Sequence, residues 1–120
     1  MLPVPGGPMT LQQQTTVTVR CQTTEGGAEV GAQVVLAMAA RAGIPPLAAD
    51  RLRGDVREAL RAANAAVELR CSARDGGLEM AISPPGEALD AVKAALDGHG
   101  AEIDGDAVVI RVRRTPLQSV

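Results

Sequence analysis

Alternating apolar runs punctuated by turn residues, with apolar stripes at helical spacing between them, predict an α+β fold. The expected architecture is a two-layer α/β sandwich, helices on one face of a mixed, mostly antiparallel sheet. Three observations carry this. The runs Val67–Ala73 and Leu78–Ser83 flank Arg74-Asp75-Gly76-Gly77, and Asp-Gly between alternating runs is a strong hairpin signal. The segment Leu47–Ala66 carries Leu52, Val56, Leu60 and Ala63 on one continuous helical stripe. The chain has no Phe, Trp or Tyr, so Val, Leu, Ile, Met and 21 alanines must make the core, which suits thin helices packed closely on a small sheet.

The remaining elements follow in chain order. Thr15–Thr23 (TTVTVRCQT) alternates β-formers with polar residues and reads as a strand, broken by Glu25-Gly26-Gly27. Ala28–Ala42 reads as a helix with Val30, Val34, Leu36, Ala37, Met38 and Arg41 at helical spacing. Gly43 suits its C-terminal cap, and Ile44-Pro45-Pro46 forces a turn. In the next helix Gly54 costs about 1 kcal/mol against alanine, so that helix depends on its packing. Ser83-Pro84-Pro85-Gly86 ends the hairpin. Glu87–Leu96 is a third helix with Leu89, Val92 and Leu96 as its stripe. Strands Ala101–Ile103 and Ala107–Arg113 hinge at Asp104-Gly105-Asp106. The order is β-α-α-β-β-α-β-β, one domain over 15–114. Residues 1–14, rich in Pro, Gly and Gln, read as a disordered leader and 115–120 as a frayed tail.

Composition excludes several functions. At 120 residues the chain can bury roughly two-thirds of its unfolded surface, enough for one core. Net charge is −2, which offers no basic field for a phosphate backbone, and no aromatic is present to stack a base. No apolar run approaches the ~18 residues of a membrane span, and no signal peptide precedes the domain, so a cytoplasmic protein is expected. Cys21, Cys71 and His99 assemble no common zinc pattern. His99, between Gly98 and Gly100, reads as a solvated turn residue rather than a catalytic one.

Two segments echo each other. Val17-x-Val19-Arg20-Cys21 and Val67-x-Leu69-Arg70-Cys71 are each followed by an acid and Gly-Gly. Either two strands share one kind of terminating turn, or a unit is duplicated with its strands side by side. The second reading makes a Cys21–Cys71 disulfide geometrically conceivable, although a reducing cytoplasm opposes it.

The stretch Arg41-Ala-Gly-Ile-Pro-Pro-Leu-Ala-Ala-Asp-Arg-Leu-Arg-Gly-Asp-Val-Arg-Glu58-Ala-Leu, set in this element order, resembles the GHKL (Bergerat-fold, histidine-kinase-like) ATPase domain. The likeness is greatest to small bacterial anti-sigma-factor serine kinases and spans Val17–Arg113. The resemblance implies an N-box Glu-x-x-x-Asn on the second helix, its Asn ligating the Mg²⁺ that bridges the phosphates. Glu58 stands at the Glu position, but Ala62 stands at the Asn position, and Asn64 is about 200° around the helix. Glu58 alternatively reads as a surface carboxylate pairing with Arg51, Arg57 or Arg61. The family's adenine-binding Asp-x-Gly-x-Gly is replaced by Ser83-Pro84-Pro85-Gly86, and the mobile lid is missing, because the chain runs from Gly86 into the third helix.

The expectation is therefore an ATPase-like fold without catalytic, cofactor or metal residues, acting as a regulatory module that binds a protein partner: a regulator, a sigma factor or a kinase domain. The contact surface expected is the polar face of the second helix, Arg51, Asp55, Glu58 and Arg61. A working ATP-dependent kinase with divergent ligands and a small homo-oligomeric assembly protein are the alternatives. Nucleic acid and membrane are not expected as partners.

Overall fold

A computed structural model describes residues 14–113 apart from Asp75. The leader and tail inferred above lie outside the described residues, except for Gln14. Five strands, β1 (Thr15–Gln22), β2 (Ala66–Arg74), β3 (Gly77–Ser83), β4 (Glu102–Asp104) and β5 (Ala107–Arg113), form one sheet in the order β1-β2-β3-β5-β4. Every pairing is antiparallel. Three helices, α1 (Gly27–Arg41), α2 (Pro46–Ala63) and α3 (Leu89–Ala95), complete the two-layer α+β sandwich.

Period-two alternation selects the sheet face that meets the helices. Register aligns Val17, Cys71, Met80 and Ile110 across four strands, and Val19, Leu69, Ile82, Val108 and Ile103 across all five. Of the alternate positions, Thr18, Arg70 and Glu79 turn to solvent, whereas Val109, between Ala81 and Glu102, is buried. On α2, Leu52, Val56, Leu60 and Ala63 are buried as their spacing requires, joined by Ala49 and Ala59. Val92 and Leu96 are likewise fully buried beneath α3, with Leu89 packed at the core's margin.

On α1 Met38 is buried and Val34 and Leu36 pack at the core's margin as read from the sequence, and the structure corrects the rest of that apolar face. Val30 is 56% exposed and Ala37 faces solvent, while Ala28, Gly31, Ala32, Val35, Met38 and Ala39 are buried. Four of these six buried residues are glycine or alanine, and at Gly31 the helix comes very close to its neighbours. A Cβ on Gly31 would stand 2.6 Å from Leu60 Cδ1 and 2.9 Å from Cys21 Sγ. At this point of close approach, volume rather than hydrophobicity decides which residue fits.

Helix ends explain the other departures. Gly43, at φ 82°, closes α1 as expected; its N–H bonds Ala40 C=O at 3.1 Å, and the Ile44 N–H bonds Ala39 C=O at 3.0 Å, a Schellman arrangement. The second helix stops at Ala63, three residues short of the predicted Ala66, because Asn64 takes the left-handed conformation (φ 51°, ψ 44°). The third begins as a 3-10 turn, Gly86–Ala88, before its α-helical part. Thr23, buried just after β1, donates its hydroxyl to Ala65 C=O at 2.7 Å and accepts from the Ala65 N–H at 2.8 Å. That pair of bonds joins the end of β1 to the link between α2 and β2.

Leu60→Ala should cost about 2–5 kcal/mol, the range for emptying a fully buried leucine site; chemical denaturation measures it, and a wild-type midpoint would contradict this packing. Thr23→Val should cost about 1–3 kcal/mol by leaving the Ala65 N–H without its acceptor, while the Ala65 C=O keeps the Thr23 N–H; it is read the same way, whereas Thr23→Ser should retain most of the stability.

Candidate functional site

The central helix α2 packs against α1 on one side and α3 on the other, with its buried stripe toward the sheet. Its remaining circumference is divided among three environments, which sort its charged residues.

Toward α1, Arg57 Nη1 lies 3.5 Å and Arg53 Nη1 3.9 Å from the Glu29 carboxylate, which also accepts from Gln33 Nε2 at 3.1 Å. The Gln33 hydrogen bond, then the bond and charge of Arg57 and the charge of Arg53, hold the Glu29 carboxyl below its ordinary range. Arg53 also grips Asp50 at 2.9 Å. Toward the segment after α3, Asp55 Oδ2 meets His99 Nε2 at 2.7 Å. His99 is therefore not a solvated turn residue: its side chain is 16% exposed and ties the Asp97–His99 turn to α2. Gly100, left-handed at φ 72°, closes that turn. The sequence gives no sign of the His99–Asp55 contact, since the partner is 44 positions away.

Toward solvent stand the other candidate contact residues. Glu58 pairs with Arg61 at 3.5 Å and approaches Arg57 Nε at 3.8 Å, so two of the three arginine partners considered for it are found. Arg51 is exposed and makes no ion pair among the described residues. The structure thus brings Arg51, Glu58 and Arg61 onto one open surface and commits Asp55 to His99. It adds Leu47, which is 87% exposed in the first turn of α2. At 100° per residue Leu47 falls on the same outward row as Glu58 and far from Leu52, the signal that would have identified it.

The positions aligned with the ATPase motifs are also placed. Ala62 is exposed in the last turn of α2, and Asn64 serves as that helix's left-handed terminus. Ser83 ends β3 half-buried beside the buried Pro84. Gly86 has open space where a Cβ would lie, so no close approach requires glycine there. Among the described residues no three His, Cys, Asp or Glu side chains converge as a metal site would require.

Cys21 and Cys71 are buried, free thiols on the core face of adjacent strands. Cys21 aligns with Val67 and Cys71 with Val17, a stagger of four residues. That is about 13 Å of strand rise, against the about 4.4–6.8 Å Cα separation of a disulfide. The paired strands do lie side by side, but the disulfide does not fit. Burial, with a smaller contribution from Cys21, pushes the Cys71 thiol up to about 12, and burial raises Cys21 as well.

No protein-family model and no curated protein matches the chain. No helix among the described residues is long and apolar enough to cross a membrane.

The buried thiols give a prediction with a defined sign. Native protein holds those protons to higher pH than the unfolded chain, whose thiols ionise near pH ~8.5. Their contribution to stability should be complete below that pH and decline as pH rises toward 12. Ellman's reagent at mildly alkaline pH should leave both cysteines unmodified in the folded protein and modify both in denaturant.

Proposed function

We propose that the chain is a non-catalytic, regulatory protein-binding module built on a histidine-kinase-like ATPase fold, acting in the bacterial cytoplasm in signalling or transcription control. The observation that carries this reading is the outward row of α2, where an 87%-exposed Leu47 accompanies the Glu58–Arg61 pair and Arg51, which makes no ion pair among the described residues. An apolar anchor beside mixed charge is what a protein contact uses: the apolar group contributes affinity, and the charges set orientation and encounter rate. Gly54 interrupts that row without a side chain and leaves flat ground for a partner. The chemistry at the motif positions supports loss of nucleotide handling. The methyl of Ala62 has no lone pair for Mg²⁺, and Ser83 presents a neutral hydroxyl where the family uses a carboxylate. The partner expected is a regulator, a sigma factor or a kinase domain.

Arg51→Glu combined with Glu58→Arg should weaken a complex captured from the native host while leaving the thermal midpoint unchanged; equal capture would remove this surface from consideration. In parallel, calorimetry with ATP and Mg²⁺ should give no saturable heat. A magnesium-dependent dissociation constant below about 100 μM would favour the kinase reading instead.

A further inference from the structure

The sheet face turned away from the helices carries a second surface. Cross-strand register sets Arg74, Gly77 and Arg113 side by side at one end of it, and Arg70 beside Ala81 two rows further along. Glu79 stands between these rows, on the same strand as Gly77 and Ala81. Because Gly77 has no side chain and Ala81 only a methyl, two hollows of about 180 and 210 Å³ open there, and Glu79 lines both. Four arginines, Arg70, Arg74, Arg111 and Arg113, border them against that one carboxylate. Glu79 is answered by Arg111 at 3.2 Å, and Arg74 donates to the side-chain oxygen of Gln14. Arg70 and Arg113 make no ion pair among the described residues. Glu68 and Glu102 share this face further along, so the excess of positive charge is local to the end around the hollows, within a chain of net charge −2.

We propose that this face docks an acidic segment of a protein partner, whose carboxylates enter the two hollows on either side of Glu79. The hollows are smaller than the about 300–1,000 Å³ of small-molecule sites and too shallow to enclose a ligand, so the occupant is a surface rather than a metabolite. A nucleic acid would find no aromatic ring to stack on, and its continuous phosphate charge would run over Glu79. A polypeptide places its charges discretely. Gly77 and Ala81 are four residues apart, about 13 Å of strand, and an acidic segment can set carboxylates at that separation and leave the middle neutral. Residues 1–13 and 114–120 contain no Asp or Glu and do not supply them. The surface lies across the sheet from α2, so the two contact faces fail independently.

The test uses the full chain and a fluorescein-labelled oligoglutamate peptide, read by fluorescence anisotropy at low and physiological salt. Arg70→Glu with Arg113→Glu should weaken binding about tenfold or more, and Glu79→Gln should tighten it. Arg51→Glu with Arg61→Glu, on α2, should leave it unchanged. Circular dichroism melts check folding, and Arg70→Gln with Arg113→Gln makes the same test without introduced acids. The proposal is overturned if oligoglutamate does not bind, if the α2 variant weakens it equally, or if oligothymidine or inorganic pyrophosphate binds as tightly. It is also overturned if sedimentation shows self-association that the Arg70/Arg113 variant abolishes, since a second copy would then be the occupant.

Discussion

Leu60 sits where α1, α2 and the sheet converge, against the bare Cα of Gly31 and beside the thiol of Cys21. That contact sets the spacing of the two layers. Without a single aromatic ring, the core cannot span a wide gap, and its largest fully buried side chains are leucine, isoleucine and methionine. The helices must come close enough for small residues to touch, and interiors tolerate no voids in compensation. Gly31, Ala32, Val35 and Ala39 on α1 and Ala49, Ala59 and Ala63 on α2 are the consequence. So is the burial of both cysteines, which act here as small apolar fillers whose thiols stay protonated.

The same constraint determines what is left open. One helical layer covers one face of the sheet, and α2, held in its middle, keeps only a narrow outward strip. Polar ties on both flanks, Glu29 with Arg53 and Arg57 on one side and Asp55 with His99 on the other, fix the rotation of that strip. Each tie is partly exposed and individually weak. Their shared effect is orientation: Leu47, Arg51 and Glu58 stay in view while the apolar stripe stays buried. The other face of the sheet has no covering layer among the described residues, and alternation puts its polar residues there.

Much of this was legible in the residues. The Leu52–Val56–Leu60 stripe, the Asp-Gly hairpin and Gly43 each rest on a local rule that the tertiary structure does not override. The reading of α1 held at Met38, Val34 and Leu36 and missed at Val30 and Ala37, because hydrophobic periodicity ranks Val30 above Gly31, whereas close packing ranks them the other way. Asn64, about 200° around the helix from the position a metal ligand would take, has instead the short polar side chain that suits the left-handed residue ending a helix. Asp55–His99 and the grouping of Arg70 with Arg113 join residues about 40 positions apart, and no pattern within a window of sequence contains them.

Net charge illustrates that last limit in quantitative terms. A total of −2 describes the field far from the molecule, where contributions of both signs merge. A bound partner samples the field within a Debye length, about 8 Å at physiological salt, which is smaller than the sheet. Over that range the composition divides. Glu87, Asp90, Asp97, Glu102, Asp104 and Asp106 crowd the segment around α3 and the β4–β5 turn, against Lys93, while arginines gather at the other end of β5. The acidic residues thus cancel the arginines in the sum and leave them uncancelled in place. Composition argues soundly against a long polyanion, which would sense both regions. It has no bearing on a short acidic segment, which meets only the arginine-lined end of the open sheet.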